Sequence, residues 1–275
     1  MWSKLGIRLF SALLGAAGLV CLILFAPVWA FNLVVAAASV ISLYEISKAL
    51  GLNKKPQTEI IKYIAALAIF YSLFFEDGAG AKTIAFIFTS YVMLLMIFSV
   101  IFNKTVKFSD VTGSLFALFY GVVFLAHISL IRGMENGRVL IFLPLLGAWM
   151  PDTFAYFSGL LFGKHKLIPS VSPKKTVEGA IGAVIGCVLM FLVFGFIAEK
   201  LSFNINYVNL IILSVISSVL AQFGDLSASI IKRNFGIKDF GNLIPGHGGI
   251  LDRIDSLIFI APLCYYFLLV MPVIC

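Results

Sequence analysis

Two aspartates three residues apart, Asp252 and Asp255, stand with Arg253 at the entrance of a long apolar run. Directly before them lies Pro245-Gly246-His247-Gly248-Gly249, preceded by Lys232, Arg233, Lys238 and Asp239. Helix positions i and i+3 share a face, so both carboxylates project to one side, with Arg253 about 100° round. In the stretch QFGDLSASIIKR, Asp225, Ser229, Lys232 and Arg233 fall at i, i+4, i+7 and i+8, again one face. Two carboxylate faces joined by a basic, glycine-rich loop describe an oxygen-donor cation site opposite phosphate. Asp225, Asp252 and Asp255 are the expected metal ligands. Carboxylates completed by water and phosphate suit Mg2+, and more than one cation is compatible with them; zinc would call for Cys or His. Lys232, Arg233 and Lys238 supply phosphate-binding charge. Glycine lets backbone N–H groups approach an anion, and Gly248-Gly249 before a helix start adds the helix N-terminus.

A second stretch, FGKHKLIPSVSPKKTVEGAIG (162–182), has the same character. Lys174 and Lys175 follow Ser172-Pro173, while Thr176 and Glu178 stand where the next helix begins. Taken alone, lysines here read equally as topology-setting charges.

The elements that must position these groups are membrane spans. Of 275 residues 61% are hydrophobic and 12% charged, where a soluble domain carries about 25% charged. A span needs roughly 20 apolar residues. Nine stretches are candidates: 9–26, 28–47, 60–75, 82–102, 111–131, 139–162, 177–198, 207–231 and 251–273. The expected fold is therefore an all-α polytopic membrane protein forming one transmembrane domain. Residues 1–137 carry little motif content; residues 138–275 hold the chemistry and the two longer connections, 163–176 and 232–250. No A-x-A-like site closes the first apolar run, so it is expected to remain as a helix rather than be removed as a signal peptide. Cys21, Cys187, Cys264 and Cys275 form no C-x-x-C pair, which argues against a thiolate metal site or a disulfide framework.

With the N-terminus inside and the C-terminus outside, only Lys82, Arg132, Arg138 and Lys200 fall outside, leaving sixteen of the twenty basic residues within. That bias fits the positive-inside rule. The net charge of +7 then reflects inner loops and anionic headgroups, not nucleic acid.

On this topology Glu45, Asp152, Glu178, Asp225, Asp252 and Asp255 all fall in the inner half of the bilayer. Asp152 lies about 16 Å and Asp225 about 10 Å inside the span ends. A cation or proton transporter would spread its carboxylates through the membrane, often in paired, broken repeats, and no repeat is evident. Carboxylates at one depth suit an enzyme taking substrate from one side. Glu45 reads either as an interfacial side chain or as part of the site, and His127 as a satisfied interior histidine.

From Ser229 through Lys232-Arg233, Lys238-Asp239, Gly241, Pro245, His247-Gly248-Gly249 and Asp252-Arg253 to Asp255, the chain closely resembles the signature of the phosphatidate cytidylyltransferases. The stretch from Asp152 through Ala155-Tyr156-Phe157, Gly163-Lys164 and Ser172-Pro173-Lys174-Lys175-Thr176 to Glu178-Gly179 is similar to the same family. The resemblance is strong over residues 150–260, and the length suits the bacterial form. It implies transfer of a cytidylyl group from CTP to phosphatidic acid at the inner face of the cell membrane, in phospholipid biosynthesis. Asp225, Asp252, Asp255, Lys232 and Arg233 would be catalytic. Asp152, Ser172, Lys174, Lys175, Thr176, Glu178, Ser229, Lys238, Asp239, His247, Gly248, Gly249 and Arg253 would bind substrate. Another CTP-using lipid enzyme is the nearest alternative. The D-G-x-x-A-R…G-x-x-x-D-x-x-x-D pattern of CDP-alcohol phosphotransferases is not found. The oligomeric state stays open, a homodimer included.

Overall fold

In hydrocarbon a backbone must satisfy its own hydrogen bonds, and runs of Ala, Leu, Ile, Val and Phe do so as helices. The computed structural model describes residues 15, 17–74, 80–243 and 248–274. It forms α1 (Val28–Ala49), α2 (Pro56–Ser72), α3 (Gly80–Ile101), α4 (Phe108–Arg132), α5 (Gly137–Phe162), α6 (Val177–Lys200), α7 (Tyr207–Asn234) and α8 (Leu251–Val270). Among the described residues seven of these, all but α2, are long and apolar enough to span a membrane. The polytopic all-α architecture is thus as expected, and two of the nine expected spans stand apart. Residues 17–25 are helical, but most of the earlier part of the 9–26 span lies outside the described residues. The 60–75 span corresponds to α2, whose 17 residues reach about 25 Å at helical rise, short of a ~30 Å hydrocarbon core.

Two residues counted as loop charges are buried instead. Lys62 on α2 is fully covered and donates to Glu59 (2.5 Å) and to Ser47 Oγ (2.6 Å). Arg132 ends α4 buried, donating to Ala26 O at 3.1 Å with its guanidinium over the Phe31 ring. Both are charges kept inside by partners of their own. His127 is a satisfied interior residue: its Nδ1 lies 2.8 Å from Val123 O, between the rings of Tyr265 and Tyr266.

Buried side chains form two clusters. One joins α1 to α4 around Leu43, Ile46, Ile69, Tyr91 and Leu118. The other joins α5 to α8 around Leu143, Phe191, Leu213, Ile260 and Cys264. Helix α8 bridges them, packing on α4 and α1 as well as on α5 and α7. The 163–176 connection is not a plain loop. It holds a hairpin of β1 (Lys166–Ile168) and β2 (Ser172–Thr176), paired antiparallel with Lys166 opposite Thr176 and Ile168 opposite Ser172. An irregularity in register between those pairs takes up the longer β2 strand, as a bulge does.

The pair α5–α6 is the most extensive helix contact described, and small residues make it. Gly179, Gly182 and Gly186 on α6 face Ala155, Ser158 and Phe154 on α5. A Cβ at Gly182 would sit inside Ser158, and one at Gly186 inside the Phe154 ring. Close backbone approach through small residues is how membrane helices gain packing energy without a hydrophobic drive. We therefore expect Gly186→Leu to destabilise the protein by about 1–3 kcal/mol or more. Gly133→Ala, whose Cβ meets nothing closer than 3.6 Å, serves as the neutral control. Thermal unfolding in detergent checks both.

Candidate active site

The site is assembled at one end of the bundle from four places in the chain. Asp152 comes from α5, one residue after Pro151, whose missing N–H leaves the Gly147 carbonyl without its helical donor. Asp225 comes from α7, and Asp252 and Asp255 from the start of α8. The fourth is the β-hairpin. Thr176 caps α6 by accepting from Gly179 N at 3.1 Å. Glu178, two residues on in the same first turn, clasps the start of the hairpin by accepting from Lys164 N (3.1 Å) and from His165 N (3.3 Å), and lies 2.7 Å from His165 Nδ1. The clasp swings β2 back over the bundle, so that Lys175 forms an ion pair with Asp225.

A cavity of about 340 Å3 lies beside the Lys175 member of this pair, lined by Asp152, Tyr156, Lys174, Lys175, Thr176 and Gln222. Asp152, Asp225 and Asp255 are near enough to act electrostatically on one another. Their placement follows from close packing: Gly224 lets α7 press on the backbone of Asp255 and Ser256, with Asp255 O only 3.1 Å from where a Cβ would be.

Asp252 is occupied differently. One oxygen accepts from Phe240 N (2.8 Å) and Gly249 N (3.1 Å), and the other from Lys232 Nζ (2.9 Å). Lys232 also lies over the Phe240 ring. The carboxylate thus staples the 235–250 loop to the end of α7. Ser229 is half-buried on α7, while Arg233, Lys238 and Arg253 are exposed. Asp239 lies beside Gly248, whose φ of +86° suits glycine alone. His247, with Pro245 and Gly246, lies outside the described residues.

Among the described residues no three His, Cys, Asp or Glu side chains converge as a complete metal cage. Asp225 and Asp255 still fit a hard cation. They are oxygen donors clear of the backbone staple that takes up Asp252, and Mg2+ completes its shell with water and substrate oxygens.

Sequence reasoning left Glu45 undecided; the structure places it at the centre of the assembly. It projects from α1, is 3% exposed, and accepts from Ile250 N (3.1 Å) and Leu251 N (2.8 Å). These are orphan donors at the start of α8, which the helix leaves to be satisfied from outside. Gly241 and Gly249 lie against the same carboxylate with no room for a Cβ. The helix N-terminus expected to receive a substrate phosphate is therefore filled by the protein's own anions, Glu45 and Asp252. The signal in the sequence was an isolated acid in an apolar span together with glycines that needed a reason.

Charges of both signs around a cavity, within a bundle of helices long and apolar enough to span a membrane, define a membrane protein with a charged site. The chain matches the Cytidylyltransferase family over residues 6–271 and belongs to that family. It is 35% identical over 243 residues to the phosphatidate cytidylyltransferase of Bacillus subtilis, covering 86% of this chain and 88% of that protein. To the phosphatidate cytidylyltransferase of Haemophilus influenzae it is 34% identical over 284 residues, covering 94% and 97%. The protein of that name from Thermotoga maritima is 34% identical over 238 residues, 84% of each.

Glu45→Ala leaves two buried N–H groups unpaired, at about 1–3 kcal/mol each. We expect a lower melting temperature and faster proteolysis within 235–250. Glu45→Gln, which keeps one acceptor oxygen, should lose less on both measures.

Proposed function

We propose that this protein transfers a cytidylyl group from CTP to phosphatidic acid, forming CDP-diacylglycerol and pyrophosphate, at the cytosolic face of the cell membrane and with Mg2+. The observation that carries the reading is the cavity lined by Asp152, Lys174 and Lys175, with Lys175 ion-paired to Asp225. It sits in a family whose similar members are named phosphatidate cytidylyltransferases.

An oxygen of the phosphatidate phosphate attacks the α-phosphorus of CTP. The new P–O bond forms as the bond to the β-phosphate oxygen breaks, and pyrophosphate leaves with that electron pair. A phosphate oxyanion is already a nucleophile, so no side chain has to remove a proton from it. The work left to the protein is positioning and neutralisation of charge. Lys174 and Lys175 bind phosphate oxygens in the cavity. Lys232, held by Asp252, presents a fixed positive charge beside the carboxylates, and Arg233 and Lys238 draw the polyphosphate toward that end of the bundle. Asp225 and Asp255 would hold Mg2+, which supplies charge neutralisation to the triphosphate when bound.

Purified protein in detergent with CTP, phosphatidic acid and Mg2+ should release pyrophosphate. Excess EDTA should stop release, and Asp225→Asn should lower turnover at least a hundredfold without loss of the folded protein. Release indifferent to EDTA would remove the metal from the reading. For orientation, Lys174→Cys in a cysteine-free background should react with an impermeant maleimide from the cytosolic side only. Labelling from outside alone would reverse the topology.

A further inference from the structure

Helix α4 is not regular. Between Leu118 and Phe124 it opens into a π turn, Phe119–Val123, a feature that recurs at functional sites because it turns one side chain out of the helical register. The turn packs backbone to backbone on α1: a Cβ at Gly121 would lie 3.3 Å from the N and Cα of Leu43. Tyr120 lies within it. Its ring is stacked on Phe116 (centroids 5.2 Å) and stands edge-on to Phe259 (6.4 Å). Phe259 lies one turn beyond Asp255 on the same face of α8, so the phenol lies over the carboxylate face of that helix.

Tyr120 is 3% exposed, and its hydroxyl has no hydrogen-bond partner. The charges that act on it are Asp255, Asp225 and Asp252, yet none of these carboxylates takes its proton. A buried hydroxyl left unsatisfied weakens a fold. Here the ring is held by aromatic packing on Phe116 and on Phe259, and Phe259 sits on the helix face that carries Asp255. What is missing is an acceptor, and a bound phosphate supplies acceptor oxygens.

We propose that the Tyr120 hydroxyl is a substrate-contacting donor, hydrogen-bonding a phosphate oxygen of the ligand bound over Asp225 and Asp255. The inference rests on the cytidylyl-transfer reading. The phosphate belongs either to CTP or to phosphatidic acid, and kinetics separate the two.

The test is Tyr120→Phe, which removes one oxygen and keeps the ring. Initial rates are measured with CTP and phosphatidic acid varied in turn, beside thermal unfolding of the ligand-free protein. Loss of a hydrogen bond to a charged group should cost roughly ten- to a hundredfold in kcat/KM, while the melting temperature stays level or rises. A higher KM for CTP alone assigns the contact to the nucleotide, and a higher KM for phosphatidic acid alone to the lipid. A fall in kcat with both KM values unmoved assigns it to the transition state. Kinetics matching the wild type, or a loss of activity that tracks a lower melting temperature, would overturn the proposal. A wild-type protein that makes no CDP-diacylglycerol would instead sink the functional reading beneath it.

Discussion

The arrangement turns on one carboxylate. Glu45, carried on α1, reaches the N-terminus of α8 more than two hundred residues later and accepts two of its free N–H groups. The helix dipole and the unpaired donors make that end attractive to an anion, and burial makes it costly to leave bare. Because Glu45 is fixed by α1, the start of α8 is fixed too, and with it Asp252 and Asp255. The half of the chain poor in motifs thus sets the position of the half that is rich in them.

From that anchor Phe240 and Gly249, in the connection before α8, are held as well. Asp252 takes Phe240 N, Gly249 N and Lys232 Nζ together, so a carboxylate placed for chemistry by its spacing also serves as a fastener. The hairpin is held by a similar device, with Glu178 gripping Lys164 and His165. Polar groups in a membrane protein are expensive. Here several of them are used to hold irregular backbone that helices alone would not position.

Much of this was legible in the sequence. Apolar runs marked the spans because hydrocarbon leaves a backbone few choices. The i, i+7 spacing of Asp225 and Lys232 and the i, i+3 spacing of Asp252 and Asp255 put each pair on one helix face, and the structure brings the two faces together through the Lys232–Asp252 pair. What escaped were interactions across long sequence separation. Nothing local to Glu45 says that its partners are Ile250 and Leu251, or that Gly241 and Gly249 exist to make room for it. The π turn that contains Tyr120 was hidden for a related reason, since it interrupts a run whose composition reads as plain helix. Lys62 and Arg132 were misplaced because hydropathy counts charges without seeing the partners that let them be buried.

The two lysine–aspartate pairs differ in one respect that matters. Lys232–Asp252 is 14% and 2% exposed and tied into backbone hydrogen bonds, whereas Lys175–Asp225 is 24% and 28% exposed and borders open space. Ion pairs that water can reach are worth only about 0–1 kcal/mol. The first pair is a rivet and the second a latch: an arriving anion can draw Lys175 away at little energetic penalty, and doing so uncovers Asp225 at the same moment.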